Sequence, residues 1–482
     1  MTRLVVGPFN RVEGDLEVTL DVADNQVQAA YVNSPMYRGF EQILKDKPPL
    51  DALVYVPRIC GICSVAQSAA SAQALADAMG LKSPENGLLA ANLTLAAENL
   101  ADHLTHFYLF FMPDFARDYY RNRSWFSAAQ ARFKSVRGSA TAEVLPARAK
   151  FMHLMGYLAG KWPHTLSLQP GGSSRSIELA EQIRLSILLT EFRLFLERTL
   201  FGDKLESVSS LDSESALLAW MQSRKSKADL PRFLEISYDL NLHKLGRATD
   251  RFMSYGAYHE GGNSLFPSGL WEEGQIHTLD ISAIREDVSH SWMEGEAALA
   301  PATGYTLPQP GKTGAYSWCK APRLNGLVVE TGALARQLMA GHPLVVDLVL
   351  RHGGNVTARV IARLLELARV LPAMEEWVKR LRPGEPFCNN ATPLDDARGI
   401  GLVEAARGSL GHWLEIRKGK IANYQIIAPT TWNFSPRDTA GNPGALEHAL
   451  VGVPIEDNND GAPIAVQHIV RSFDPCMVCT VH

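Results

Sequence analysis

The sequence predicts an α+β fold that is mainly α, with one large core built around a bundle of long helices and small sheets near the N-terminus and at the periphery. Three observations predict it. Residues 16–33 alternate apolar and polar side chains with period two. Three later stretches carry apolar residues at helical spacing over many turns. No repeat or low-complexity tract divides the 482 residues, so the chain reads as one domain over 1–482 with no internal boundary placed.

Taken in order, DLEVTLDVADNQVQAAYV sets Leu16, Val18, Leu20 and Val22 on one face, turns at Asp24-Asn25 and resumes at Val27, which is a hairpin pattern. SVAQSAASAQALADAMG is a helix of small residues that stops at Gly80, suited to close packing. SPENGLLAANLTLAAENLADHLTHFYLFF opens a long helix with Ser83 as N-cap, Pro84 at the first helical position and Glu85 in the first turn. SIELAEQIRLSILLTEFRLFLERTLFG is a second, closed by Gly202. NVTARVIARLLELARVLPAMEEWVKRL is a third, with a break expected near Pro372. Residues 205–320 carry weaker signals, rich in Gly, Pro and Ser.

Composition narrows the function. The chain is 46% hydrophobic and 20% charged, an ordinary globular balance. A net charge of −4 with no block of like charge argues against nucleic acid or an anionic membrane as partner. The opening MTRLVVGPFNRVEGD lacks the apolar core of a signal peptide, and runs such as FYLFFM are too short to span a bilayer. The expectation is a soluble protein without direct membrane insertion.

Four of the six cysteines lie in two CxxC pairs, Cys60 and Cys63 in RICGICS and Cys476 and Cys479 in DPCMVCTVH. Six are too few for a disulfide scaffold, and paired spacing points to metal or redox chemistry. A CxxC can place two sulfurs on one ion, and thiolates select zinc, copper(I), iron–sulfur or nickel and iron centres. The first pair stands where a helix begins, so free N–H groups and the helix dipole stabilise thiolate there. The pairs lie at opposite ends of the chain, so sharing one metal requires the C-terminus to return to the N-terminal region. On spacing alone, a structural zinc held by all four cysteines remains open.

The neighbouring residues are more polar than a structural zinc needs. Asp102, His106 and Phe110 recur every fourth residue, which puts them on one stripe of a helix where core residues are expected. A buried polar site and a mutually satisfied His-Asp pair both fit that stripe. Glu13 in NRVEGD, Asp474 in SFDPC, Arg407 in EAARGSLGHW and the segment APTTWN add carboxylates and donors.

Together, NRVEGD, YRGFEQIL, RICGICS, ADHLTHFY, KAPR, ARGSLGHW, APTTWNFSPRD and the terminal DPCMVCTVH resemble the large, catalytic subunit of nickel-iron hydrogenases over essentially the whole chain. The resemblance implies heterolytic cleavage of H2 at a Ni-Fe centre carrying CO and two cyanides. It implies that Cys60 and Cys476 bind nickel terminally, while Cys63 and Cys479 bridge to iron. Glu13 resembles the glutamate that takes the released proton. Asp102, Arg407 and Asp474 resemble a charged canopy above the open metal position, and Arg407 and Thr430, with Pro429 beside them, would donate to the cyanides. Glu41, the carbonyl of Ile426 and His482 resemble a Mg2+ site that ties in the C-terminus. Cys319 and Cys388 match nothing in the family pattern.

The pattern departs from the family at Asp15, where His is common, and at Ala406, where Pro is common. Relatives are usually made with a cleaved extension after the terminal histidine, and the chain ends at His482. With Ile62 and Phe110, where oxygen-sensitive relatives carry Val and Leu in the gas channel, this favours a regulatory H2 sensor in the cytoplasm. The alternative is an energy-conserving uptake hydrogenase of the same group, and a third reading is a non-catalytic or zinc-pinned structural subunit. No cysteine motif remains for an electron relay, so an iron-sulfur small subunit is expected as obligate partner. A dimer of such heterodimers and a histidine kinase partner are further expectations of the sensor reading.

Overall fold

Asp24 and Asn25 both take left-handed backbone angles, φ 51° and 57°, the pair that a type I′ hairpin turn requires. They join β2 (Glu17–Ala23) to β3 (Gln26–Asn33), and β1 (Thr2–Val6) adds a third antiparallel strand in the order β1-β2-β3. Leu16, Val18 and Leu20 are fully buried on the inner face, as their alternation predicts. The computed structural model describes residues 2–224, 228–392, 394–455 and 463–482.

Helix α1 (Ser64–Met79) starts directly after Cys63 and ends where Gly80 turns left-handed at φ 64°. Its small residues serve one contact. A later sheet, β4 (Ala397–Ala405), β5 (Gly408–Arg417) and β6 (Lys420–Ile427), lays β4 along the helix. A Cβ on Gly401 would stand 1.9 Å from the Ala70 carbonyl oxygen, and one on Gly399 2.0 Å from that of Ala74. The backbones touch because neither side has bulk. Asp77 and Gln73 then accept from the Ile400 and Leu402 amides at 2.9 and 3.1 Å, which satisfies the free edge of β4.

Helix α2 (Glu85–Thr105) runs into a π-helical turn over His106–Phe111. Its start differs from expectation. Pro84, not Ser83, occupies the cap position, with extended ψ of 164° and no side-chain cap bond. Helix α3 (Leu179–Phe195) also ends in a π turn, Leu196–Phe201, and closes at Gly202 in the left-handed region.

Helix α4 (Val356–Arg380) is not broken at Pro372. Proline removes the amide that would bond the carbonyl one turn back, and here the Ser209 hydroxyl, shared with the Leu205 carbonyl at 2.9 Å, reaches that Ala368 carbonyl at 3.2 Å. The substitute donor comes from far along the chain, so the local pattern could not show it. Residues 205–320, weak in sequence signal, hold short helices and hairpins such as Ala257–Glu260 with Asn263–Phe266.

Helix α5 (Ile464–Phe473) brings the C-terminal segment back against α4 and the π turn of α2. The largest apolar cluster takes buried residues from both ends of the chain, Val6 to Cys479. Among the described residues, no single helix is long and apolar enough to cross a membrane.

Gly401→Ala forces its Cβ into the α1 backbone, so the variant should lose about 1–3 kcal/mol of stability, the usual cost of overpacking. The check is a lowered unfolding midpoint, with Gly419→Ala, at an open turn, as the comparison for a left-handed glycine that meets no backbone.

Candidate metal centre

The four paired cysteines meet. Sulfur–sulfur distances are 3.0 Å for Cys63 to Cys479, 3.2 Å for Cys476 to Cys479 and 3.5 Å for Cys60 to Cys476. All four Sγ atoms lie within 4.8 Å of one another, buried and free of disulfides. Local structure aims each pair. Cys60 is extended at the end of a short 3-10 turn, Val56–Ile59, and Cys63 is the N-cap of α1.

The second pair is held by two separate segments, the short helix Pro429–Asn433 and the stretch at Glu13. The Thr430 hydroxyl, on a short helix begun by Pro429, accepts from the Cys476 amide at 3.1 Å. Glu13 pairs with the same stretch as an isolated bridge, its carbonyl accepting from the Met477 amide at 2.7 Å. The Thr431 hydroxyl donates to the Thr480 carbonyl at 2.9 Å.

The electrostatics of the bare thiols show what the cluster needs. Hydrogen bonds from Cys476, Cys479 and Cys63 hold Cys60 well below the ordinary thiol range. The same neighbours push Cys63 well up, and burial pushes up Cys476 and Cys479. One sulfur ionises at the expense of the other three. Four thiolates can coexist in so dry a pocket only around a cation, so the donor set fits a thiolate-ligated metal centre.

Above the sulfurs, Arg407 sits between two buried carboxylates. Its guanidinium pairs with both oxygens of Asp102 and donates to Asp474 at 3.1 Å. Burial outweighs the guanidinium at Asp102 and pushes that carboxyl up to about 7. At Asp474 burial also raises the value, but Arg407 and His106 more than reverse it and hold it low. Arg407 Nε and Asp474 Oδ2 are buried with no protein partner. An unmatched donor and acceptor beside the sulfurs are what a site for a further polar ligand leaves behind.

Glu13 is half-buried, and its carboxyl is raised by burial and by Cys60 against the pull of Arg407. Glu41, Ile426 and His482 also come together. Ile426 meets Glu41 through its amide, which donates at 2.7 Å, and His482 Nε2 lies 3.3 Å from the same oxygen. Burial would raise Glu41, but Lys320 and His482 bring it to about 2. His482 Nδ1 bonds the Cys479 carbonyl at 3.0 Å, which ties the terminal residue to the cysteine arm.

Two expectations change. The stripe Asp102, His106, Phe110 stops at His106, because the π turn widens the helix and rotates the later side chains off that face. Phe111 is the buried ring, stacked on His106 at 5.7 Å, whereas Phe110 is partly exposed and its carbonyl accepts from Arg11. The stripe instead extends backwards to Glu98, a buried carboxylate that sequence reasoning missed. Its signal was present as a charged residue one turn before Asp102 on an otherwise apolar face. Ile62 lies between the first two cysteines, partly buried against the main core. Cys319 is buried and Cys388 partly so, and neither joins the cluster.

A nickel-dependent hydrogenase family model matches residues 38–124 and 111–482. The chain belongs to the nickel-dependent hydrogenase family, as a large subunit. It is 30% identical to the periplasmic [NiFeSe] hydrogenase large subunit of Desulfomicrobium baculatum, covering 100% of this chain and 95% of that one. It is 27% identical to the hydrogenase-2 large chain of Escherichia coli K12, over 100% and 97%. The reduced Ni-Fe-Se hydrogenase of D. vulgaris Hildenborough superposes with TM-score 0.85 at 30% identity, covering 100% of both chains. An H2-activated [NiFeSe] hydrogenase of Dm. baculatum superposes with TM-score 0.86 at 28% identity, again over 100% of both. This hydrogenase subunit brings four cysteines to its Ni-Fe site.

Replacing Arg407 with Met should cost about 3–5 kcal/mol at neutral pH, because two buried carboxylates lose their shared cation. The folded variant holds its protons above the pH at which unfolded carboxylates ionise, so it binds more protons than the unfolded chain and its stability falls as pH rises. Urea unfolding at pH 5 and pH 8 should therefore show a steeper loss with pH than in the wild type.

Proposed function

We propose that this large subunit oxidises H2 heterolytically at a nickel-iron pair held by Cys60, Cys63, Cys476 and Cys479, and that its role is to sense hydrogen. The carrying observation is the buried four-sulfur cluster under an arginine with an unmatched donor. When bound, the metal pair supplies the soft, electron-accepting centre at which H2 is polarised. All four thiolates would hold the metal pair, Cys60 and Cys476 as nickel ligands and Cys63 and Cys479 as ligands common to nickel and iron. Arg407 Nε and the Thr430 side chain fit donors to cyanide ligands on the iron.

Glu13 takes the proton. Its backbone is fixed against the second cysteine pair, and its carboxyl interacts electrostatically with Cys60, the sulfur held most acidic. A raised carboxyl value suits a group that must both accept and pass on a proton near neutrality. Asp102 and Asp474 keep the Arg407 guanidinium over the sulfurs rather than acting as bases themselves. Glu41 and His482 fit a hard cation such as Mg2+ completed by waters, with Lys320 and Glu286 bonded at 2.9 Å on the same small cavity.

The electrons need an exit, and an iron-sulfur small subunit supports that role. The sensor reading rests on Ile62, whose bulk between the first two cysteines would narrow gas access relative to Val; Phe110, turned off the Asp102 stripe, is the second position of that expectation. A cytoplasmic location and a histidine kinase partner go with that reading.

In Glu13→Gln, nickel and iron should remain in equal amounts and CO and cyanide infrared bands should persist, while H2 oxidation is lost because the amide cannot accept the proton. Full activity in this variant removes Glu13 from the mechanism, and zinc alone in the wild type overturns the whole reading.

The double change Ile62→Val with Phe110→Leu should leave metal content unchanged and make H2 oxidation sensitive to air. Activity measured before and after exposure decides it, and equal survival in both proteins shows that this pair is not the filter.

A further inference from the structure

Helix α2 and the first residue of the π turn that continues it touch both cysteine arms and Arg407 through three residues one turn apart. At one end the Glu98 carboxylate lies at the N-terminus of α1, immediately after Cys63. Its Oε2 accepts from the Val65 amide at 3.0 Å, the Ser64 hydroxyl at 3.3 Å and Trp162 Nε1 at 2.8 Å, and its Oε1 accepts from the Ala66 amide at 3.0 Å. One turn on, Asp102 holds Arg407. One turn further, His106 donates from Nε2 to the Arg471 carbonyl at 2.7 Å, at the C-terminal end of α5, just before Asp474 and Cys476. Burial keeps that imidazole neutral, at about 3.

The hydrogen-bonding roles match what each helix end presents: free amides meet the oxygens of Glu98, a carboxyl that burial pushes up to about 8, and free carbonyls meet an N–H donor. Arg363 adds a second donor at the α5 end, to the Ser472 carbonyl at 2.6 Å. The cysteine arms come from opposite ends of the chain, yet both are fastened to one rigid helix eight residues apart, about 12 Å along its axis.

We propose that α2 is a gauge that sets the separation of the two cysteine arms, with Glu98 and His106 as positioning residues for the metal ligands. The proposal rests on the four-sulfur cluster being the metal centre. It assigns Glu98 and His106 a role beyond ordinary capping: an error in placing either arm passes into the sulfur–sulfur geometry, because one residue separates Cys63 from the first capped amide and four separate the Arg471 carbonyl from Cys476. For Cys63 the capped amides are those of Val65 and Ala66, with the Ser64 hydroxyl bonded between them and the cysteine. Glutamine at position 98 would turn an amide NH2 toward donors that now meet a carboxylate, so at least one backbone N–H would lose its partner.

The test uses the assembled, metal-loaded protein. Nickel and iron content and nickel–sulfur distances by X-ray absorption are measured for wild type, Glu98→Gln, Glu98→Asp, His106→Gln and the control Glu447→Gln. Glu447 is an equally buried carboxylate that accepts from the Val32 and Gly444 amides and belongs to no limb of the site. Expected are an altered nickel–sulfur shell, or at least a fivefold loss of nickel, in Glu98→Gln and His106→Gln, with partial return in Glu98→Asp. Glu447→Gln should lower the unfolding midpoint comparably and leave the shell unchanged.

An unchanged shell and full nickel in both glutamine variants overturns the gauge, as does an equal change in the control. Where Glu98→Gln does not accumulate folded, Trp162→Phe removes one of the four donors to Glu98 and should shift the shell in the same direction by less; no shift overturns the proposal. A wild type without nickel would instead overturn the metal-centre reading on which the gauge rests.

Discussion

Four sulfurs from the two ends of a 482-residue chain lie within 4.8 Å of one another, and most of the architecture around them serves that approach. A dry thiolate cluster cannot assemble from loose ends, since every mobile residue adds entropy that the metal must overcome. The N-terminal end is therefore made part of a sheet and bridged to the C-terminal arm by Glu13 and Met477. The C-terminal end is fastened by Thr430 and Thr431 of one short helix, by His106 and by Glu41, from three different segments. The close backbone contact of α1 with β4, permitted only by Gly399 and Gly401, fixes the first cysteine arm from the other side.

Buried charge is the second ingredient. Arg407 is one of several guanidinium groups removed from water and surrounded by carboxylates. Arg336 pairs with Glu366 at 2.6 and 3.0 Å and with Glu404 at 2.8 Å, His103 joins Glu366 at 2.7 Å, and Arg359 pairs with Glu330 at 2.7 and 2.8 Å while stacking on Phe473 at 3.7 Å. Networks of this kind do little for net stability, because desolvation offsets attraction. Their effect here is directional. They join α4, β4 and the end of α5 behind Arg407, so that the guanidinium is held by a stiff polar frame rather than by Asp102 alone.

Much of this was legible in the chain itself. The Asp24-Asn25 hairpin, the small-residue helix ending at Gly80 and the long helices came from period and cap residues. The cysteine pairs, Glu13, Asp102, Arg407, Thr430, Asp474, Glu41 and His482 were picked out by residue type and motif, and the fold does gather them. The features that escaped have their cause elsewhere in the chain. Pro372 does not break α4 because Ser209 replaces the missing donor. Phe110 leaves the Asp102 stripe because a π turn intervenes, and Glu98 looked like one more charge in AAENLADH.

By itself the sequence determined the chemistry available: two CxxC pairs whose sulfurs are soft ligands, carboxylates and a guanidinium in fixed motif positions, and local periodicities that commit segments to helix or strand. These depend on residue identity and on interactions a few positions long. Only the tertiary structure decided which groups share a space. That two cysteine arms meet, that Glu98 and His106 of one helix reach both of them, and that Asp102 and Asp474 divide one arginine depend on contacts between residues hundreds of positions apart. Such contacts are set by the packing of whole elements, where a single glycine-permitted approach or one widened helical turn moves every side chain beyond it.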